Sequence, residues 1–256
     1  MVSLFEKYPY IKSLRGLVSD ELIISEIGPK VDEFELNLAR ARESIPSVNL
    51  NKIFPGELES GSITLEKFLG HWGNVSIEEL CKICLIVNFI KPNTILEIGT
   101  YNGMTTLQMA LNAPRECTTY TLDLPEAISA SLPLSELDTR ISRHFKEQFG
   151  TATGSYFKGR NDIKIVQLLG DSSTFDFDAL KCAFDIIFID AAHDYENKKT
   201  DSENAFRLLS RGGVILWHNF NDVLCPDVTK YLADISIAHR IFHLRNTSLA
   251  VYYNAR

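Results

Sequence analysis

Residues 94–106 read Thr-Ile-Leu-Glu-Ile-Gly-Thr-Tyr-Asn-Gly-Met-Thr-Thr. The pattern predicts a buried strand over Thr94–Ile98, a loop bracketed by Gly99 and Gly103, and a helix beyond it. Glycine lets the backbone take positive φ and lets a ligand approach the main chain closely. Glu97 sits at the end of the strand. A carboxylate there makes a poor phosphate cradle, because it repels the anion that a helix N-terminus attracts. The loop therefore suits a nucleoside cofactor without phosphates. It is neither the dinucleotide fingerprint G-x-G-x-x-G nor the phosphate loop G-x-x-x-x-G-K-[ST].

From Gly70 onward, apolar runs alternate with amphipathic stretches, as in a parallel sheet covered on both faces. A capping box at Ser76-Ile-Glu-Glu79 opens a helix to about Ile90, which Lys91-Pro92-Asn93 stops. Further strands are expected at Thr118–Leu122, Ile163–Leu168, Phe184–Ile189 and Val214–Trp217, with helices near Met104–Asn112, Tyr195–Ser210 and Asp227–Ile235. Arg240–Leu244 and Ser248–Tyr253, joined by a short turn at Arg245-Asn246, must be antiparallel neighbours. The fold class is thus α/β: a doubly wound, mostly parallel seven-stranded sheet closed by an antiparallel C-terminal hairpin.

Two parts fall outside this core. Residues 1–69 form an N-terminal helical extension, with a charged helix over Val31–Ser44 and a loop around Pro55-Gly56. The domain at 70–256 carries an insertion at 124–162, with a helix near Leu134–Gln148 and a flexible Gly150–Ser155. Each is either a lid or binding loop, or a homo-oligomer contact or surface decoration.

Ligands of open α/β sheets bind beyond the carboxyl ends of the strands. The strand ends here carry Glu97, Asp123, Asp171, Asp190, His193, His218 and Asn219. Buried carboxylates are costly without partners, so a shared polar ligand explains the group better than separate loop caps. Asp123 is placed to accept from ribose hydroxyls. Gly170-Asp171-Ser172 suits an adenine, whose exocyclic amine an acid can accept from.

Glu97-x-Gly99-x-x-x-Gly103, Gly170-Asp-Ser, Ile189-Asp-x-x-His-x-Tyr195, Arg211-Gly-Gly-Val-Ile-Leu-Trp-His218 and Thr247-Ser-Leu-Ala-Val-Tyr252 occur in that order. Over about Asn74–Tyr253 the chain resembles the class I S-adenosylmethionine-dependent methyltransferases. It is closest in pattern to the subgroup of bacterial O-methyltransferase-like proteins, and more distantly similar to the catechol O-methyltransferase family. The resemblance implies S-adenosyl-L-methionine held by Glu97, Gly99, Thr100, Tyr101, Gly103, Asp123, Gly170, Asp171, Ser172 and Asp190. In the catechol family an acid after the fourth strand and an Asp-Asn pair after the fifth bind magnesium, and a lysine serves as base. On that resemblance Asp190 matches the first ligand, Asn219 the asparagine and His193 the lysine, while His218 replaces the aspartate. Any metal would be held by Asp190, His218 and Asn219. Losing a carboxylate weakens a magnesium site, and imidazoles suit zinc, iron or nickel better.

His193 is the first candidate for a general base, since histidine can accept a proton at neutral pH; His218 is the second. The function expected is methyl transfer to a hydroxyl of a small-molecule or sugar-like acceptor. The alternatives are a non-catalytic S-adenosylmethionine-binding or assembly protein, and a metal-dependent oxygenase or hydrolase on the same scaffold. His71, His144, His239 and His243 are expected to be structural.

The 256 residues hold 26 basic and 33 acidic side chains, a net charge of −7, with no basic block, so a nucleic-acid partner is not expected. No apolar run reaches the ~20 residues that span a bilayer, and no signal-peptide core follows Met1; the expectation is a cytoplasmic protein without a membrane partner. Five scattered cysteines fit free thiols. Cys81-Lys-Ile-Cys84 lies in an apolar helical run, and no second pair follows at zinc-finger spacing.

Overall fold

The computed structural model describes residues 3–14, 18–55, 61–68, 73–125, 127–137, 139–140, 143 and 152–254. In chain order the elements are α1 (Leu4–Lys7), α2 (Asp20–Ile27), α3 (Val31–Ser44), β1 (Ser47–Val48), α4 (Leu50–Ile53) and α5 (Ile77–Ile90). There follow β2 (Thr94–Ile98), α6 (Met104–Asn112), β3 (Thr118–Asp123), β4 (Lys164–Leu169), β5 (Phe184–Ile189) and α7 (Tyr195–Leu208). The chain closes with β6 (Leu209–Trp217), α8 (Pro226–Ile235), β7 (Ile241–Leu244) and β8 (Ala250–Tyr253).

The strands form one sheet in the order β1-β7-β8-β6-β5-β2-β3-β4. All neighbours pair in parallel except β8, which runs antiparallel to both β6 and β7. This is the mostly parallel, hairpin-closed sheet expected from the sequence. It has eight strands rather than seven. The extra one, β1, comes from the N-terminal extension and pairs Ser47 with His243 and Val48 with Leu244. It is two residues long, too short for any periodicity, and it covers the backbone groups of what would otherwise be an open edge. β6 also starts earlier than expected, because Leu209 pairs with Phe184 ahead of a register shift that restores Val214 to Ile186.

The strands nearest the centre are buried on both faces, which is why they read as apolar runs. Ile95 faces a layer with Leu80, Ile83 and Val87 of α5 and Leu107 of α6. Leu96 and Ile98 face the other layer, with Ala205 and Leu208 of α7 and Val228 and Leu232 of α8. Burying one such side chain is worth about 1.5–3 kcal/mol. Cys84 sits in the first layer, as a core-helix reading requires, and all five cysteines are free thiols.

The N-terminal extension is built onto the domain. α3 lies along α8 and bridges to it through Lys30–Asp227, Glu33–Lys230 and Arg40–Asp234. Phe34 and Leu38 pack with Ile23, Ile27, Leu137 and Val223 in a third apolar cluster. Leu137 belongs to the insertion, whose expected helix is present at Glu136–Leu137, Thr139–Arg140 and Arg143. The remainder of that helix call, at 144–148, lies outside the described residues, as do Gly56, His71, His144, Gly150 and Thr151. Of the Gly150–Ser155 stretch, residues 152–155 are described. Gly154 N–H donates to the Tyr101 carbonyl at 2.9 Å, and Tyr156 N–H to the Asn102 carbonyl at 3.0 Å. The glycine there serves a turn with φ +73° that tucks beneath Phe157, and the segment is tied to the loop after β2.

Candidate functional site

Five parallel strands end along one edge, and the residues at or just past their ends form the floor of a cavity of about 1490 Å³. Gly99 continues both ladders of β2: its N–H donates to Leu122 O at 2.9 Å, while Asp190 N–H donates to Ile98 O at 2.8 Å. It adopts φ +105°, and a Cβ there would stand 2.2 Å from the Asp190 carbonyl oxygen. No other residue fits. Tyr101 follows with φ 47°, and its N–H donates to the Asp123 carboxylate at 2.6 Å. This bond sets the carboxylate at the end of β3 against the glycine loop.

Gly99, Thr100, Tyr101, Asp123, Gly170, Asp171, Ser172, Asp190, His193, His218 and Asn219 all line the cavity. Glu97 and Gly103 do not. Glu97 is 1% exposed and lies beneath the loop, where it accepts from the hydroxyls of Thr106 and Thr121. Burial pushes its carboxyl up to about 8, against the opposing effect of the two hydroxyls. Gly103 is required by packing: at φ +82° a Cβ would meet the Phe157 ring at 2.4 Å. Both residues thus support the loop from below. The strand-end acids looked equivalent in sequence because a strand pattern does not say which side of the loop a side chain reaches.

Asp171 accepts from Ser173 N–H at 2.9 Å and Ser173 Oγ at 2.7 Å through one oxygen, and from Ser131 N–H at 2.6 Å through the other. Burial works against its charge, but these donors hold the carboxyl below its ordinary value. Ser131 belongs to the insertion, so the Asp171 loop and the insertion are docked together.

On the β5–β6 side, His218 places Nδ1 3.0 Å from Asp190 Oδ1 and Nε2 3.4 Å from Glu79 Oε2. Burial alone would lower its pKa; the two carboxylates outweigh that and push it up to about 10. His218 thus sits between two carboxylates. Glu79 was visible in sequence only as a helix cap. It keeps that bond to Ser76 and also accepts from Ser248 N–H at 2.7 Å and Ser248 Oγ at 2.8 Å.

His193 places Nε2 3.0 Å from Asn219 Oδ1. The Asn219 amide is oriented from its other end, since Nδ2 donates to Asp222 Oδ2 at 3.4 Å. With the amide oxygen turned to His193, Nε2 is the donor and Nδ1 the nitrogen that carries the lone pair. Asp222 in turn accepts from Tyr10 Oη at 3.2 Å, which ties the N-terminal extension to this network. Asn102, also unforeseen, lines the cavity, and its buried Nδ2 has no hydrogen-bond partner among the described residues. Its only sequence signal was its place inside the glycine loop.

The roof comes from outside the sheet. Glu26, Ile27 and Lys30 reach it from the end of α2, Leu137 from the insertion, and Asp227 from the start of α8. His239 stacks on Phe206 and His243 Nε2 bonds the Thr247 carbonyl, both away from the cavity, as expected of structural histidines. Among the described residues no group of three or more His, Cys, Asp or Glu side chains is arranged to hold a metal ion. The donor set of Asp190, His218 and Asn219 does not fit one either, because each already bonds a neighbouring side chain.

Residues 96–220 match a family model described as a methyltransferase domain. Over that span the chain is similar to a methyltransferase domain. The matched span runs from Leu96 on β2 to Phe220 just past Asn219, so it takes in the strand-end floor and Leu137 of the insertion, and leaves out Glu79, Glu26, Ile27, Lys30 and Asp227. No curated protein matches the chain. Solved structures that are similar include an O-methyltransferase from Bacillus cereus in complex with SAH, at 19% identity over 84% of this chain and 95% of that one, TM-score 0.45. An SAH-bound methyltransferase from Podospora anserina shares 18% identity over 89% and 96% of the two chains, TM-score 0.47. A methyltransferase from Geobacter sulfurreducens shares 14% over 71% and 80%, TM-score 0.46. Among the described residues no helix is long and apolar enough to cross a membrane.

Proposed function

We propose that the chain transfers a methyl group from S-adenosyl-L-methionine to a hydroxyl of a small-molecule or sugar-like acceptor. The observation that carries this is the floor itself: Asp123, Asp171 and Asp190 on three strand ends around a loop closed by Gly99, with His193 on the same cavity. Bound there, the cofactor supplies an electrophilic methyl on a cationic sulfonium, which a carboxylate floor tolerates and a phosphate clamp would not. Asp123 accepts from the ribose hydroxyls, and the Asp171 loop meets the adenine. The unpaired Nδ2 of Asn102 offers a donor to an anionic or carbonyl group, such as the methionine carboxylate.

With the cofactor bound as methyl donor, His193 Nδ1 would accept the acceptor's hydroxyl proton, and the demethylated thioether S-adenosylhomocysteine would leave. Asn219 holds the ring in the tautomer that leaves Nδ1 basic. Holding oxygen, methyl and sulfur in line supplies much of the remaining acceleration. The five free thiols suit a reducing, cytoplasmic setting. The test is a methyl-transfer assay over a panel of hydroxylated acceptors, followed by formation of S-adenosylhomocysteine (SAH). Product formation on amines or thiols, with none on hydroxyls, would refute the acceptor class.

A further inference from the structure

We propose that Phe68 is a further cofactor-binding residue, its ring facing the sulfonium of S-adenosyl-L-methionine, and that Gln108 and Asn112 are the positioning residues that deliver it. The inference rests on the methyl-donor reading above, and it concerns a residue outside the span that the family model matches. Residues 62–66 are held by side-chain amides in place of a neighbouring strand. Asn112 Oδ1 accepts from Thr64 N–H and its Nδ2 donates to Thr64 O, both at 2.8 Å. One turn back along α6, Gln108 Oε1 accepts from Glu66 N–H at 3.0 Å and its Nε2 donates to Glu66 O at 2.6 Å. Asn88 Nδ2 on α5 donates to Ser62 O at 2.9 Å. Gln108 and Asn112 are buried, so an amide left unmet there is costly. Two extended residues span about 6.6 Å and four helical ones about 6 Å, so the segment keeps step with α6 as it runs towards the helix's first turn.

There the chain bends. Lys67 takes φ 52°, a left-handed backbone uncommon outside glycine that persists only where its surroundings fix it. Here Glu66 bonds Arg160 at 2.6 Å, and Lys67 Nζ donates to the Tyr156 carbonyl at 3.5 Å. Beyond the bend Phe68 lines the cavity, as does Thr105 in the first turn of α6. Thr105, Gln108 and Asn112 share one face of the helix, so the face that holds the segment also meets the cavity, directly after the glycine loop. Ile63, Leu65 and Phe68 pack on the apolar layer of α5 and α6, not on the roof cluster. Among the described residues, Phe68 and Tyr101 are the phenyl rings of the cavity wall. The hydroxyl, amino and carboxylate groups of the cofactor have hydrogen-bonding partners in Asp123, Asp171 and Asn102. Its sulfonium is a cation with no N–H or O–H to donate, and the face of an aromatic ring attracts such a charge through its quadrupole.

The experiment uses the full chain, with S-adenosyl-L-methionine and SAH as paired probes in calorimetry and with residue-resolved hydrogen exchange. The two ligands differ in the sulfonium charge and its methyl group. In the unmodified protein the Thr64 and Glu66 amides should exchange slowly, and in Gln108→Met the Glu66 amide should lose that protection. Phe68→Leu keeps apolar bulk and removes the ring. It should weaken S-adenosyl-L-methionine by roughly 3–30-fold more than SAH. Gln108→Met, or Asn112→Leu if the first does not fold, should move that ratio the same way by a smaller factor, which a purely structural role would not do. Equal losses for the two ligands in Phe68→Leu, or no loss, would overturn the assignment of Phe68. Fast exchange at Thr64 and Glu66 in the unmodified protein would overturn the clamp. If the unmodified protein binds neither ligand, the methyl-donor reading fails and the Phe68 assignment with it, while hydrogen exchange still reads the clamp.

Discussion

The floor and the roof of the cavity are built on different physics. The floor is the edge of a parallel sheet, where Gly99, Asp123, Asp171, Asp190 and His218 are placed by main-chain ladders and by hydrogen bonds of 2.6–3.4 Å. The roof is held by one apolar cluster around Phe34, Leu38, Leu137 and Val223, and by ion pairs such as Lys30–Asp227 at 3.4 Å. Ion pairs as exposed as these are worth about 0–1 kcal/mol each. The floor can therefore fix a reaction, while the roof can admit and select an acceptor at small energetic cost. The family match covers the floor and the insertion that carries Leu137, and leaves out the roof residues from α2 and α8.

If that division is right, substitutions on the floor should change turnover or cofactor affinity, and those on the roof only the use of the acceptor. The largest effect is expected from His193→Gln. Turnover should fall by roughly 10²–10⁴-fold, as for a lost general base, with SAH affinity little changed. Near-normal turnover would reduce His193 to a structural residue.

The next concerns stability. Folding raises the Glu97 pKa from an ordinary 4.5 to about 8. The group therefore favours the folded state most fully below 4.5, and its contribution is lost as pH rises through about 8. The Tm of the unmodified protein should fall between about pH 4.5 and about pH 8, and this contribution should level off above that. Glu97→Gln should remove several degrees of that fall, at about 2–4 °C per kcal/mol for a chain of this size. Parallel pH profiles for the two proteins would contradict a buried neutral Glu97.

Asp123→Ala should weaken SAH binding about tenfold, since the lost bonds are worth about 0.5–1.5 kcal/mol each. The smallest effect belongs to the roof. Lys30→Ala breaks the Lys30–Asp227 pair and should shift the acceptor KM only a few-fold, with SAH affinity unchanged. A large loss of SAH affinity in this variant would erase the contrast between the two regions.

The same contrast explains what could be read in the sequence. Strands such as Thr94–Ile98 and Phe184–Ile189 were legible to the residue, because a strand buried on both faces leaves a continuous apolar run. Their end residues followed from chain order alone. Glu79 was not legible as part of the site: its bonds to Ser248 and His218 join positions far apart in sequence, and only its local cap leaves a pattern. Nor did any pattern put Glu97 below the loop while Asp123 lies beside it, since that depends on where Thr106 and Thr121 fall. The roof was legible only as helices, because Ile27, Leu137 and Val223 meet through tertiary packing.

The most direct test of the central claim is calorimetric titration of the full chain with SAH, NAD and ATP in parallel. The account predicts saturable binding of SAH, weakened by Asp123→Ala, and no binding of the two phosphate-bearing nucleotides. Tight NAD binding with no response to SAH would contradict it.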